Sequence, residues 1–185
     1  MNRSPNRLIF SLALAVVLLD QTTKLLVLRW LGPTQERVVI EGFFRFVHWG
    51  NTGAAWSLFR GQNYRLAIVS IFALAGLFLL RRHFYIQTLA GQVSLGLIFG
   101  GIAGNLIDRV GNGEVIDFLR FYLYRRSGEE LGFPAFNMAD SAICIGVGLL
   151  ILLSWRQDHA GAHGPVEGRA KDEVGTVKDE RGIIR

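Results

Sequence analysis

The sequence predicts an all-α membrane protein of four transmembrane helices, with a small extramembrane β element at the membrane surface. Three observations predict it. Of 185 residues, 50% are hydrophobic and only 19% charged, against about 25% charged in ordinary soluble domains. Four apolar runs approach the roughly 20 residues needed to cross a bilayer. No acidic residue occurs between Glu41 and Asp108.

The runs cover about 8–28, 62–80, 89–107 and 133–155. In hydrocarbon they must be helices or a closed barrel, and their continuous apolarity lacks the alternation of a membrane strand. The first run, after Arg3 and Arg7, looks like a secretory signal peptide. No small-x-small cleavage site follows it, so it is read as a retained anchor. Between the first and second runs, residues 36–49 are rich in β-branched and aromatic side chains between glycines, which predicts short strands. Residues 111–132 are read as a connection whose aromatic residues suit an interface. From Asp158 the chain turns to Gly, Ala and charge, predicting one domain over 1–157 and a disordered polar tail over 158–185.

This composition excludes a soluble, fibrous or disulfide-built protein. The single cysteine, Cys144, fits no disulfide or zinc spacing and is read as packing. The net charge of +5 comes mostly from arginines at the ends of apolar runs, which favours anionic membrane lipids over nucleic acid. An even number of spans puts both termini on one side. That side carries ten Lys and Arg and the other nine, so loop charge barely chooses an orientation; the arginines before the first run and at 81–82 favour a cytoplasmic N-terminus.

An ionisable group in hydrocarbon costs at least about 2.5–3.5 kcal/mol, so each one needs a reason. Before the tail there are four aspartates, Asp20, Asp108, Asp117 and Asp140. Asp20 and Lys24 are spaced to pair on one helix face, a reading that needs no function. Gly96, Gly100 and Gly104 form a small-residue stripe that admits a neighbouring helix. Asn105 and Asp108 follow it, with Arg109 adjacent; a local Asp108–Arg109 pair at a helix end is the plain reading, support of a site the other. Asn137 and Asp140 place an amide and a carboxylate three apart at the head of the fourth run. Asp140 is followed by no Lys or Arg until Arg156, and Asp117 is set among apolar residues between the third and fourth runs. Two such carboxylates brought together share a proton. One can then activate water while the other protonates a carbonyl, without metal or cofactor. The same residues would also serve a small proton-coupled transporter. The histidines are scattered, and no serine has a Lys or His at dyad spacing.

Five ordered motifs sharpen the choice: Asp20-Gln21-Thr22-Thr23-Lys24, Asn51-Thr52-Gly53-Ala54-Ala55-Trp56, the stretch from Gly100 to Arg109, Val115-Ile116-Asp117-Phe118, and Phe136 to Ser141. Over residues 8–155 the chain resembles the bacterial signal peptidase II family, the lipoprotein signal peptidases. The resemblance implies a monomeric intramembrane aspartic endopeptidase of the cytoplasmic membrane. It would cut diacylglyceryl-modified prolipoproteins just before the lipidated Cys. It further implies Asp117 and Asp140 as the catalytic pair and Asn51, Asn105, Arg109 and Asn137 as site-lining residues. Asp20, Lys24 and Asp108 are implied as structural support, with the β element and the site near the outer face and both termini cytoplasmic. Trp56 stands where the family commonly has Phe, and the stretch between Asp117 and Asn137 is longer than usual.

Overall fold

The computed structural model describes residues 5–53, 61–84 and 86–161. Its elements run α1 (Pro5–Trp30), β1 (Glu36–Ile40), β2 (Phe44–Asn51), α2 (Asn63–Leu80), α3 (Leu89–Gly111), β3 (Val115–Tyr124), β4 (Glu130–Gly132) and α4 (Met138–Gly161), with a 3-10 turn over Arg81–His83 after α2. Among the described residues, four segments are long and apolar enough to cross a membrane: Asn6–Trp30, Asn63–His83, Leu89–Gly111 and Met138–Gln157.

α3 is the hub. It packs against α1, α2 and α4, and 56% of its span is buried, against 6% for α2. The glycine stripe explains why α3 holds that place. A methyl group on Gly100 would lie 2.6 Å from Cβ of Val16 and 2.7 Å from the Ala13 carbonyl oxygen of α1. One on Gly104 would lie 2.6 Å from Oδ2 of Asp20. Only backbone without a side chain lets α1 come this close. Outward faces stay apolar, as at Leu14, Leu18, Phe72 and Ile151. Without a hydrophobic force between helices in lipid, close packing and polar contacts must hold the bundle.

The interior changes character along its length. Near the start of α1, Ile9 packs with Leu95 and Phe99 in an apolar cluster. Towards the end of α1 the buried side chains include Asp20 and Lys24, facing Asn105 and Asp108 of α3. This polar end is where the sheet attaches, since α1 and α3 lead into strands and β4 leads into α4.

The sheet is antiparallel in the order β1-β2-β3-β4. The β1–β2 turn passes through Gly42 at φ +71°, a conformation that favours glycine. β2 pairs with β3 in a register that sets Trp49 opposite Asp117 and Asn51 opposite Val115, with a bulge between Phe46 and Trp49. Two differences from the sequence reading arise here. The connection after α3 contains the sheet's longest strand, β3, because six of the ten residues of Val115–Tyr124 are β-branched or aromatic. The fourth helix begins at Met138, not 133, because the preceding residues pair with β3: Phe133 N–H donates to the Phe121 carbonyl at 2.8 Å and Phe136 bridges to Leu119. At the other end α4 continues through Gly161. The expected tail over 162–185, and Ala54 to Trp56 of the second motif, lie outside the described residues.

Candidate active site

α1 supplies the foundation. Lys24, 2% exposed, has three ammonium protons and no acceptor capacity. Its Nζ lies 2.7 Å from Oδ2 of Asp20, 2.7 Å from Oδ2 of Asp108 and 3.0 Å from Oδ1 of Asn105, so every proton has a partner. The remaining oxygens of the two aspartates are also satisfied. Asp20 Oδ1 accepts from the backbone N–H of Ala139 at 3.0 Å, in the first turn of α4. Asp108 Oδ1 accepts from the Gln21 side chain at 2.9 Å. A buried ion cluster of this kind is tolerable only when desolvation is offset by such complete bonding. Asp108 therefore pairs with Lys24 across helices, not with its neighbour Arg109.

Asn137 and Asp140 form a reciprocal cap at the head of α4. The Asn137 Oδ1 accepts from the Asp140 backbone N–H at 2.9 Å, and Asp140 Oδ2 accepts from the Asn137 backbone N–H at 3.2 Å. This is the geometry of a capping box, with Asp in place of the usual Glu. It explains their three-residue spacing without any function. What it does not explain is the traffic beyond the cap. Asn137 Nδ2 donates 2.8 Å to Oδ1 of Asp117, so one residue touches both carboxylates.

Asp117 is placed by the β2–β3 register. Its Oδ2 accepts from Asn51 Nδ2 at 2.9 Å. Asp140 Oδ1 accepts from Asn105 Nδ2 at 2.7 Å. The three amides share a logic. Each oxygen is occupied by a group that can only donate: the Gly53 backbone N–H for Asn51, the Asp140 backbone N–H for Asn137, the Lys24 ammonium for Asn105. Each NH2 is thereby turned towards an aspartate. Asp117 and Asp140 thus receive only amide and backbone donors, and no ion pair with a cation joins either among the described residues.

That difference appears in the electrostatics. Burial first, and then the negative charge of Asp140, push the Asp117 carboxyl up from 3.8 to about 7. The Asn51 and Asn137 amides oppose the rise. Such a pair is poised to hold one proton between two carboxyls near neutrality.

Arg109 stands beside the pair. Its Nη2 donates to the Gly53 carbonyl at 3.3 Å, while its buried Nε meets no partner among the described residues. No group of three or more His, Cys, Asp or Glu is arranged for a metal among those residues. Every candidate residue from the sequence thus falls in or beside one polar layer. Gln21 was missed. It reaches Asp20, the Gly104 carbonyl and Asp108 at once, and its place inside the polar break of the first span was the available signal. Cys144 is exposed on α4 rather than packed.

The profile of the family described as signal peptidase (SPase) II matches residues 12–156. The chain belongs to the signal peptidase II family. It is 45% identical over 152 residues to a lipoprotein signal peptidase of Geobacter metallireducens, covering 80% of this chain and 91% of that protein. It is 39% identical over 153 residues to one of Syntrophotalea carbinolica, covering 81% and 92%. Among solved structures, one bacterial membrane enzyme is similar at TM-score 0.71 and 32% identity, covering 86% of this chain and 94% of that one. A second gives TM-score 0.64 at 34% identity, covering 81% and 93%. Membership in the signal peptidase II family, with four apolar helices, supports a multi-pass inner-membrane protease that cleaves lipoprotein signal peptides.

Proposed function

We propose that this chain is an intramembrane aspartic endopeptidase that cuts diacylglyceryl-modified prolipoproteins just before the lipidated Cys, with Asp117 and Asp140 as its catalytic pair. The observation carrying this reading is that two carboxylates are bridged by Asn137 and held by amides alone, while the buried Asp20 and Asp108 are paired with Lys24.

In this mechanism the pair enters each cycle sharing one proton. The ionised carboxylate takes a proton from a water molecule, whose oxygen attacks the scissile carbonyl carbon. The protonated carboxyl gives its proton to the carbonyl oxygen, so no free oxyanion forms. Collapse of the resulting diol breaks the C–N bond: one diol hydroxyl returns a proton to the carboxylate that gave one up, the leaving nitrogen receives the proton taken from water, and the pair again shares one proton. Asn51, Asn105 and Asn137 orient the carboxylates, and Arg109 lines the site. Asp20, Lys24 and Asp108 hold the layer together. The substrate enters sideways from the bilayer, and the sheet, with β3 carrying Asp117, shelters the site from bulk water. The site lies towards the outer face, both termini are cytoplasmic, and the protein acts as a monomer among membrane lipids.

The alternative of a proton-coupled transporter needs carboxylates spread along a path across the membrane. The four aspartates instead interconnect at the sheet end of the bundle, which supports hydrolysis. Replacing Asp117 or Asp140 by Asn tests the proposal with a synthetic diacylglyceryl prolipoprotein in proteoliposomes. Turnover should fall at least ~10³-fold, equivalent to about 4 kcal/mol of barrier. Near-native turnover in either folded variant would overturn the pair.

A further inference from the structure

Of the three amides aimed at the aspartate pair, two have their oxygens anchored by backbone N–H groups. Asn105 is different: its oxygen is anchored by the Lys24 side chain at 3.0 Å, and its NH2 donates 2.7 Å to Oδ1 of Asp140. Asn105 is 5% exposed and Lys24 2%, so water does not compete for either contact.

We propose that Lys24 is a positioning residue for hydrolysis, acting on Asp140 through the Asn105 amide in addition to holding Asp20 and Asp108 together. The inference rests on Asp140 being catalytic. Lys24 has no acceptor, so its contact leaves the Asn105 amide one orientation, with hydrogens towards Asp140. An ammonium on the amide oxygen also polarises the group and strengthens the donation at the far end, as in any hydrogen-bonded chain of low local dielectric. The other charged groups around Asp140 are Asp117 from β3, Arg109 and Asp108 from α3 and Asp20 from α1. None of them contacts the Asn105 side-chain oxygen Oδ1 among the described residues; Arg109 Nη1 donates to the Asn105 backbone carbonyl instead, at 3.5 Å. Among the described residues Lys24 is therefore the one ionic group that reaches Asp140 by a hydrogen-bonded route through this side-chain amide.

Two variants separate this role from scaffolding. Asn105→Asp retains an oxygen for Lys24 but presents no amide donor to Asp140, so kcat should drop at least about tenfold with KM little changed. The second uses a charge-matched pair, Lys24→Met with Asp108→Asn, which avoids leaving both carboxylates stranded. It should lower kcat about tenfold in the native background and not further in an Asn105→Leu background, since the route is already cut there. Asp140→Asn serves as the control: if it retains turnover, the catalytic assignment fails, whatever Lys24 does. If Asp140→Asn is inactive but Asn105→Asp keeps native kcat, the relay is overturned. It is equally overturned if the Lys24 change costs the same factor in both backgrounds. If the charge-matched protein does not fold, native kcat in Asn105→Asp still overturns the relay.

Discussion

Two pairs of aspartates lie within one polar layer, all buried except the half-buried Asp140, and their surroundings are opposite. Asp20 and Asp108 share the Lys24 ammonium at 2.7 Å each. Asp117 and Asp140 share Asn137 and receive only neutral donors. The ammonium joins three side chains across α1 and α3. Amides stabilise a carboxylate less, and they leave it free to take up a proton. The first arrangement makes a joint, the second a titratable centre. Placing them side by side lets the joint hold the centre in shape while, among the described residues, no cation contacts either carboxylate of the centre directly.

The two aspartate pairs should respond oppositely to substitution. The largest effect belongs to the titratable pair: the Asp117→Asn and Asp140→Asn proteins should lose turnover at least ~10³-fold while unfolding in detergent no more easily than the parent. Removing the cation from the joint should act on stability. Lys24→Met strands two buried carboxylates and should cost about 3–5 kcal/mol, read as a lowered thermal midpoint or failure to accumulate in membranes.

A third test probes the bundle apart from both pairs. Gly100→Ala puts a methyl group 2.6 Å from Val16 Cβ, so α1 must move, at a cost of about 1–3 kcal/mol. Loss of stability there without loss of the ion cluster would separate packing from charge.

The fourth test reverses sign between the pairs. In the folded protein Asp117 titrates at about 7 rather than 3.8. Its stability contribution is full below the ordinary carboxylate range and is lost as pH rises towards 7. Asp117→Asn should therefore raise the thermal midpoint at pH 8, by roughly 2–8 °C, and much less at pH 4. A lowered midpoint at pH 8 would mean that the charged form is favoured after all. The smallest effect is expected at the exposed Arg125–Glu129 pair, with side chains 57% and 68% exposed. Glu129→Gln should change stability by less than about 1 kcal/mol, marking how little an ion pair contributes in water.

The spans and the list of candidate residues were legible in the sequence. Hydrocarbon makes every polar residue conspicuous, and Asp20, Asn105, Asp108, Asn137 and Asp140 stand out against apolar neighbours. The Asp20–Lys24 pairing followed from helical spacing alone. β3 was harder to read, because aromatic residues beside a membrane serve an interface as readily as a strand. Phe133 and Phe136 continued an apolar run and so looked like helix, although their backbones pair with β3.

The sequence by itself determined the four-helix membrane class, the family and which polar residues had to be accounted for, because burial in hydrocarbon penalises each of them locally. Tertiary structure decided the partners. That Asp108 belongs to Lys24 rather than Arg109, and that Asn137 touches both Asp117 and Asp140, depends on helix crossings and strand register. The orientation of each amide depends on which donor occupies its oxygen. Hydrogen bonds act over about 3 Å, and residues as far apart in sequence as Asn51 and Asp117 come within that distance only once the chain has folded.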